Sequence, residues 1–69
     1  MSALDAALLA AHAQDDRAAL IALYTRAAEA QADPEAAGFF LTQAYVFALE
    51  GGHPEAGALH ARLRADGRE

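Results

Sequence analysis

The stretch AAGFFLTQAYVFALE, residues 36–50, decides how this chain is read. It holds all three phenylalanines, the only valine and one of the two tyrosines, while the remainder is mostly alanine, scattered leucine and charge. Asp33-Pro34-Glu35 just before it is a helix start. Asp is a good N-cap, Pro loses nothing at the first helical position, and Glu suits the positive end of the helix dipole. Glu50-Gly51-Gly52 is a helix stop, because glycine enters the left-handed conformation without strain. The spacing predicts a helix over 34–50.

At roughly 100° per residue this helix has three sectors. Phe40, Ala44, Phe47 and Ala48 form one, with Ala37 beside it. Leu41, Tyr45 and Leu49 form a second. Phe39 and Val46 fall on a third, next to Gln43 and Glu50. A surface helix needs a single apolar stripe, and an all-round apolar helix is normally buried. A chain of 69 residues has few other elements with which to cover it.

Working outward, Ser2-Ala3-Leu4-Asp5 fits a capping box and opens a helix over 3–13, with Leu4, Leu8 and Ala11 on one face and Leu9 and His12 at its edges. Gln14-Asp15-Asp16 breaks it, and either aspartate can cap the next helix, read over 16–32. There Leu20, Leu23, Tyr24, Ala27, Ala28 and Gln31 follow the i, i+3, i+4, i+7 rule, and Ile21 widens the stripe. Arg26 and Glu29, one turn apart, are placed to pair. Pro54-Glu55-Ala56 repeats the Pro34-Glu35-Ala36 start and opens a fourth helix over 54–66, with Ala56, Leu59, His60 and Leu63 inward. Connections this short make neighbouring helices antiparallel. The expected fold is all-α: one domain of four helices forming two antiparallel hairpins, 3–32 and 34–66, tetratricopeptide-like or a small helical bundle.

Composition bounds the rest. A single small domain has a marginal core, and with no cysteine there is no disulfide or thiolate–metal framework to supplement it. Oligomerisation, partner binding or close helix packing are the remaining remedies. Alanine fills 21 of the positions and favours helices that approach closely. The net charge of −5 lacks the electrostatic footprint of a nucleic-acid binder. Arg62, Arg64 and Arg68 are read as complementing a helix C-terminus rather than gripping phosphate. The acidic opening, Ser2-Ala3-Leu4-Asp5, is unlike a signal peptide. The longest apolar stretch is too short for a bilayer, which takes around 20 residues. A cytoplasmic protein, with no nucleic acid and no membrane as partner, is the expectation.

Sliding the chain by 38 positions lays Leu8-Leu9-Ala10 on Val46-Phe47-Ala48, Ala18 on Ala56, Ile21 on Leu59 and Arg26 on Arg64. The helix break at Asp15-Asp16 then falls on His53-Pro54. Residues 40–63 resemble a degenerate tetratricopeptide repeat or its Sel1-like relative. The family pattern W-x-x-L-G-x-x-Y…A-x-x-x-F is met by Phe40, Gln43, Ala44, Phe47, Ala56 and His60, with Gln43 for leucine and His60 for an aromatic as departures. The first hairpin places Leu9, Ala18 and Ala22 at the corresponding positions. The resemblance implies a partner-binding groove formed by stacked hairpins, and no catalytic residue, cofactor or metal.

The residues agree that chemistry is not expected. Three histidines lack any metal-binding spacing; His53 reads as a cap or turn residue and His60 as a helix-packing residue. Thr25 and Thr42 lie inside helices, where hydroxyls bond back to the preceding turn. Gly51-Gly52 ends a helix and is not a phosphate loop. Gln43 is either an exposed helix glutamine or part of an interface. No enzyme and no cofactor are expected. The function read from the sequence is a small non-catalytic protein–protein interaction module that self-associates, as a dimer, through Phe39, Gln43, Val46 and Glu50. The alternative is an accessory subunit, adaptor or antitoxin-like inhibitor that folds on a larger protein partner.

Overall fold

In a computed structural model, which describes residues 2–65 and 67, the chain forms four helices: α1 (Ala3–Gln14), α2 (Arg17–Glu29), α3 (Pro34–Gly51) and α4 (Glu55–Ala65). The all-α expectation holds. Local chemistry explains each boundary. Ser2 Oγ accepts from Asp5 N–H at 3.1 Å and the Asp5 carboxylate accepts from Ser2 N–H at 3.4 Å, so the capping box is formed. Asp15 ends α1 at φ 56°, and Asp16 caps α2 by accepting from Ala19 N–H at 3.2 Å. The two aspartates therefore divide the work of stopping one helix and starting the next.

Helix α2 ends at Glu29, three residues before the expected limit of 32. Gln31 N–H bonds Ala28 O at 3.2 Å, and its side-chain amide donates to Ala27 O at 3.3 Å, satisfying carbonyls that a longer helix would have used. Pro34 also drives Asp33 into extended backbone, so the chain cannot stay helical up to it. Helix α3 begins as expected, with Asp33 accepting from Glu35 N–H at 3.1 Å. It closes at left-handed Gly52, whose N–H reaches Leu49 O while His53 N–H reaches Ala48 O at 2.8 Å. His53 then caps α4, its Nδ1 accepting from Glu55 N–H at 3.1 Å. The expected end of α4 at Asp66, and Arg68 beyond it, lie outside the described residues.

Each helix packs on the next in sequence, and the most extensive packing is between α2 and α3. The expected hairpins, α1 with α2 and α3 with α4, are present, yet the centre of the fold is the pair that joins them. Its core is one cluster: Ile21 and Ala28 from α2, Leu41, Ala44 and Ala48 from α3, Leu59 and Leu63 from α4. Ala44 and Ala48 are 0% exposed, which is where small side chains bring the helices close. Among the described residues no polar or charged side chain is buried.

The molecule measures 31 × 29 × 11 Å along its principal axes. Two stacked helix layers need about 13 Å or more, from an axis spacing of 8–10 Å plus a backbone cylinder near 4.6 Å across. The four helices therefore form a single layer. Surface pairs stitch it together. Arg17 meets Glu50 at 3.6 Å across the α2–α3 ends. Glu29 meets Arg62 of α4 at 3.7 Å, taking the carboxylate expected to pair with Arg26, and Arg62 and Arg64 lie in the last turn of α4 as expected. No described helix is long and apolar enough to cross a membrane.

Two stability measurements check this account. Leu41→Ala should cost about 2–5 kcal/mol through the cavity it leaves. That is much of what a chain this size has, so thermal unfolding should show a broad, low transition or none; a native-like melt would displace Leu41 from the centre of the core. Asp15→Gly should raise stability by about 0.5–1 kcal/mol, because glycine adopts the left-handed backbone without a Cβ penalty.

Candidate interaction surface

The outer side of α3, away from Ala44 and Ala48, is uncovered. Phe39 is 59% exposed, Val46 40% and Leu49 55%, and Thr42 is exposed among them. Thr42 Oγ1 donates to Gly38 O at 2.8 Å, so its hydroxyl proton is engaged within the helix. Glu35, Gly38, Phe39 and Thr42 outline an open notch of about 360 Å³ at the N-terminal end of this stripe. Gly38, which has no side chain, is the buried member of this lining.

Of the four residues singled out in the sequence, Phe39 and Val46 lie on the stripe. Gln43 is half-buried at its edge, and Glu50 is exposed and held by Arg17. Leu49 differs from the rest of its sector: Leu41 is buried and Tyr45 half-buried, whereas Leu49 is exposed. The reason lies on α4. Tyr45 stacks on His60 with ring centroids 5.4 Å apart, and counting along the antiparallel pair brings Leu49 level with Ala56, next to Gly57. Those short residues cannot cover it. Phe39, Thr42, Val46 and Leu49 step by three, four and three, so they share one side of the helix, and the position of α4 decides that this side is open.

The half-buried aromatics of α3 serve the fold. Tyr24 of α2 stacks on Phe40 and on Phe47, at centroid distances of 6.2 and 5.8 Å. His12 of α1 meets Tyr24 and Phe47 edge-on, each at 5.9 Å, and its Nε2 shares a 2.9 Å hydrogen bond with the Tyr24 hydroxyl. Phe39 touches the end of this line through an edge contact with Phe40 at 5.5 Å. The line ties α1 to α3 across α2. His60 proves to be a helix-packing residue, as expected, and His53 a cap.

A second opening of about 380 Å³ runs along α2, where Ala18, Ile21, Ala22, Thr25 and Arg26 face His53 and Glu55. Its floor is alanine and isoleucine, and His53 Nδ1 there is already engaged by Glu55 N–H. Among the described residues no three His, Asp or Glu side chains converge as metal ligands would. The chain matches no protein-family model, and comparison with curated proteins and with solved structures finds no similar one.

Tyr24→Phe tests the aromatic line. It keeps the stacking and removes the bond to His12, so denaturant unfolding should show a loss of about 1 kcal/mol or less. Tyr24→Ala, which removes the ring that both phenylalanines stack on, should cost several times as much.

Proposed function

We propose that this protein is a small non-catalytic protein–protein interaction module that self-associates through α3. The observation that supports it is the stripe Phe39–Val46–Leu49. Three large apolar side chains stand on one face of the central helix, half or nearly half exposed, in a chain whose other large apolar residues are mostly covered. Large apolar side chains gathered on one exposed helix face favour an interaction site. The polar side chains that meet, Arg17 with Glu50, Glu29 with Arg62 and His12 with Tyr24, join one helix to another. The resemblance of residues 40–63 to a tetratricopeptide hairpin favours the same class of function, since such hairpins bind proteins.

Size-exclusion chromatography with light scattering tests the reading. A dimer is expected at high micromolar concentration, and a clean monomer there would overturn self-association. Val46→Glu places a charge on an exposed position, so it should dissociate the dimer while leaving helicity by circular dichroism within a few percent of the parent. Unchanged assembly would move the interface off α3.

A further inference from the structure

The stripe on α3 has the spacing of a coiled-coil seam. Phe39, Thr42, Val46 and Leu49 occupy alternating a and d positions of a heptad, and all four are exposed. The notch formed by Glu35, Gly38, Phe39 and Thr42 has the i, i+3, i+4, i+7 arrangement of the hole that receives a knob from a facing helix. A hole thus lies at one end of the stripe, and a protruding leucine, Leu49, at the other.

We infer that α3 pairs with α3 of a second copy of this chain as an antiparallel two-fold seam, with Leu49 of each copy seated in the Gly38 notch of the other. This deepens the self-association proposed above and rests on it. In an antiparallel coiled coil, a positions of one helix lie level with d positions of the other. Setting Phe39 level with Leu49 of the second copy sets Thr42 level with its Val46, and the remaining two layers follow by symmetry. The two-fold axis then passes level with Ala44. The hole of Glu35, Gly38, Phe39 and Thr42 is centred between residues 38 and 39, level with residue 49 or 50 of the second copy. That is where Leu49 stands. One register therefore satisfies all four layers and the notch together.

Charge selects the same arrangement. Two copies of a chain of net charge −5 repel each other, so the seam must avoid opposing like charges. A parallel pair would set Glu35 against Glu35 and Glu50 against Glu50 and would align the two helix dipoles. The antiparallel register instead places Glu35 beyond the last residue of the second copy's α3, sets Glu50 level with its Gly38, and opposes the dipoles. Glu50 is in addition held by Arg17. Gln43 comes within about one residue of the axis, where the half-buried amides of the two copies face each other.

A single helix seam lies at the low end of stable interface sizes, near about 1,200 Å² in total, so the dimer should be concentration-dependent. The chain has no cysteine, so Ala32→Cys, at an exposed position just before α3 and off the seam, carries a unique nitroxide label. In the antiparallel register the two labels stand the equivalent of about 24 helical residues apart along the seam, and pulsed electron resonance should read about 36 Å or more. A parallel pair would bring them to about 10 Å. Leu49→Ala in the unlabelled chain should weaken the dimer at least tenfold by sedimentation equilibrium with helicity retained, because the monomer leaves this side chain exposed. No dimer in the parent chain overturns self-association itself. A dimer with the short label distance, or one indifferent to Leu49→Ala, overturns the antiparallel seam and leaves self-association standing.

Discussion

The structure depends on the close approach of α2 and α3. Ala28 on one helix and Ala44 and Ala48 on the other present almost no side chain, so the backbones come together and Ile21 and Leu41 fill the space beside them. The other helices dock on this pair. Helix α1 reaches it through His12, which meets Tyr24 of α2 and Phe47 of α3. Helix α4 reaches it through Leu59, Leu63 and the Tyr45–His60 stack. Alanine thus acts both as a helix former and as the residue that permits close contact.

An arrangement held by neighbour-to-neighbour contacts need not fold back into a second layer, and at 11 Å thick this one does not. Domains normally cover each helix stripe with another element. Here α3 packs on α2 and on α4, and no third described helix lies on its outer face. The exposed Phe39, Val46 and Leu49 follow from that layer geometry.

Much of this was legible in the residues. Ser2, Asp33, Pro34 and Gly52 mark helix ends by local chemistry, and each behaves in the fold as its type dictates. The third sector of α3 was legible too, because a helical wheel needs only spacing. Leu49 was not. Its exposure depends on which α4 residues come level with it, and that depends on how the two helices are set against each other. The pairing of Glu29 with Arg62 was hidden for the same reason: the two are far apart in sequence and meet only because α2 and α4 end near one another.

The sequence by itself determined four helices, their caps, the apolar richness of residues 36–50 and the absence of any disulfide framework, because these rest on propensities, turn chemistry and counting. Only the tertiary structure decided that α2 and α3 form the centre, that the helices lie in one layer, and that Leu49 joins Phe39 and Val46 on the open face. Those outcomes are set by helix spacing and register between segments distant in sequence. No local pattern encodes them, since an apolar side chain is exposed or buried according to what stands opposite it.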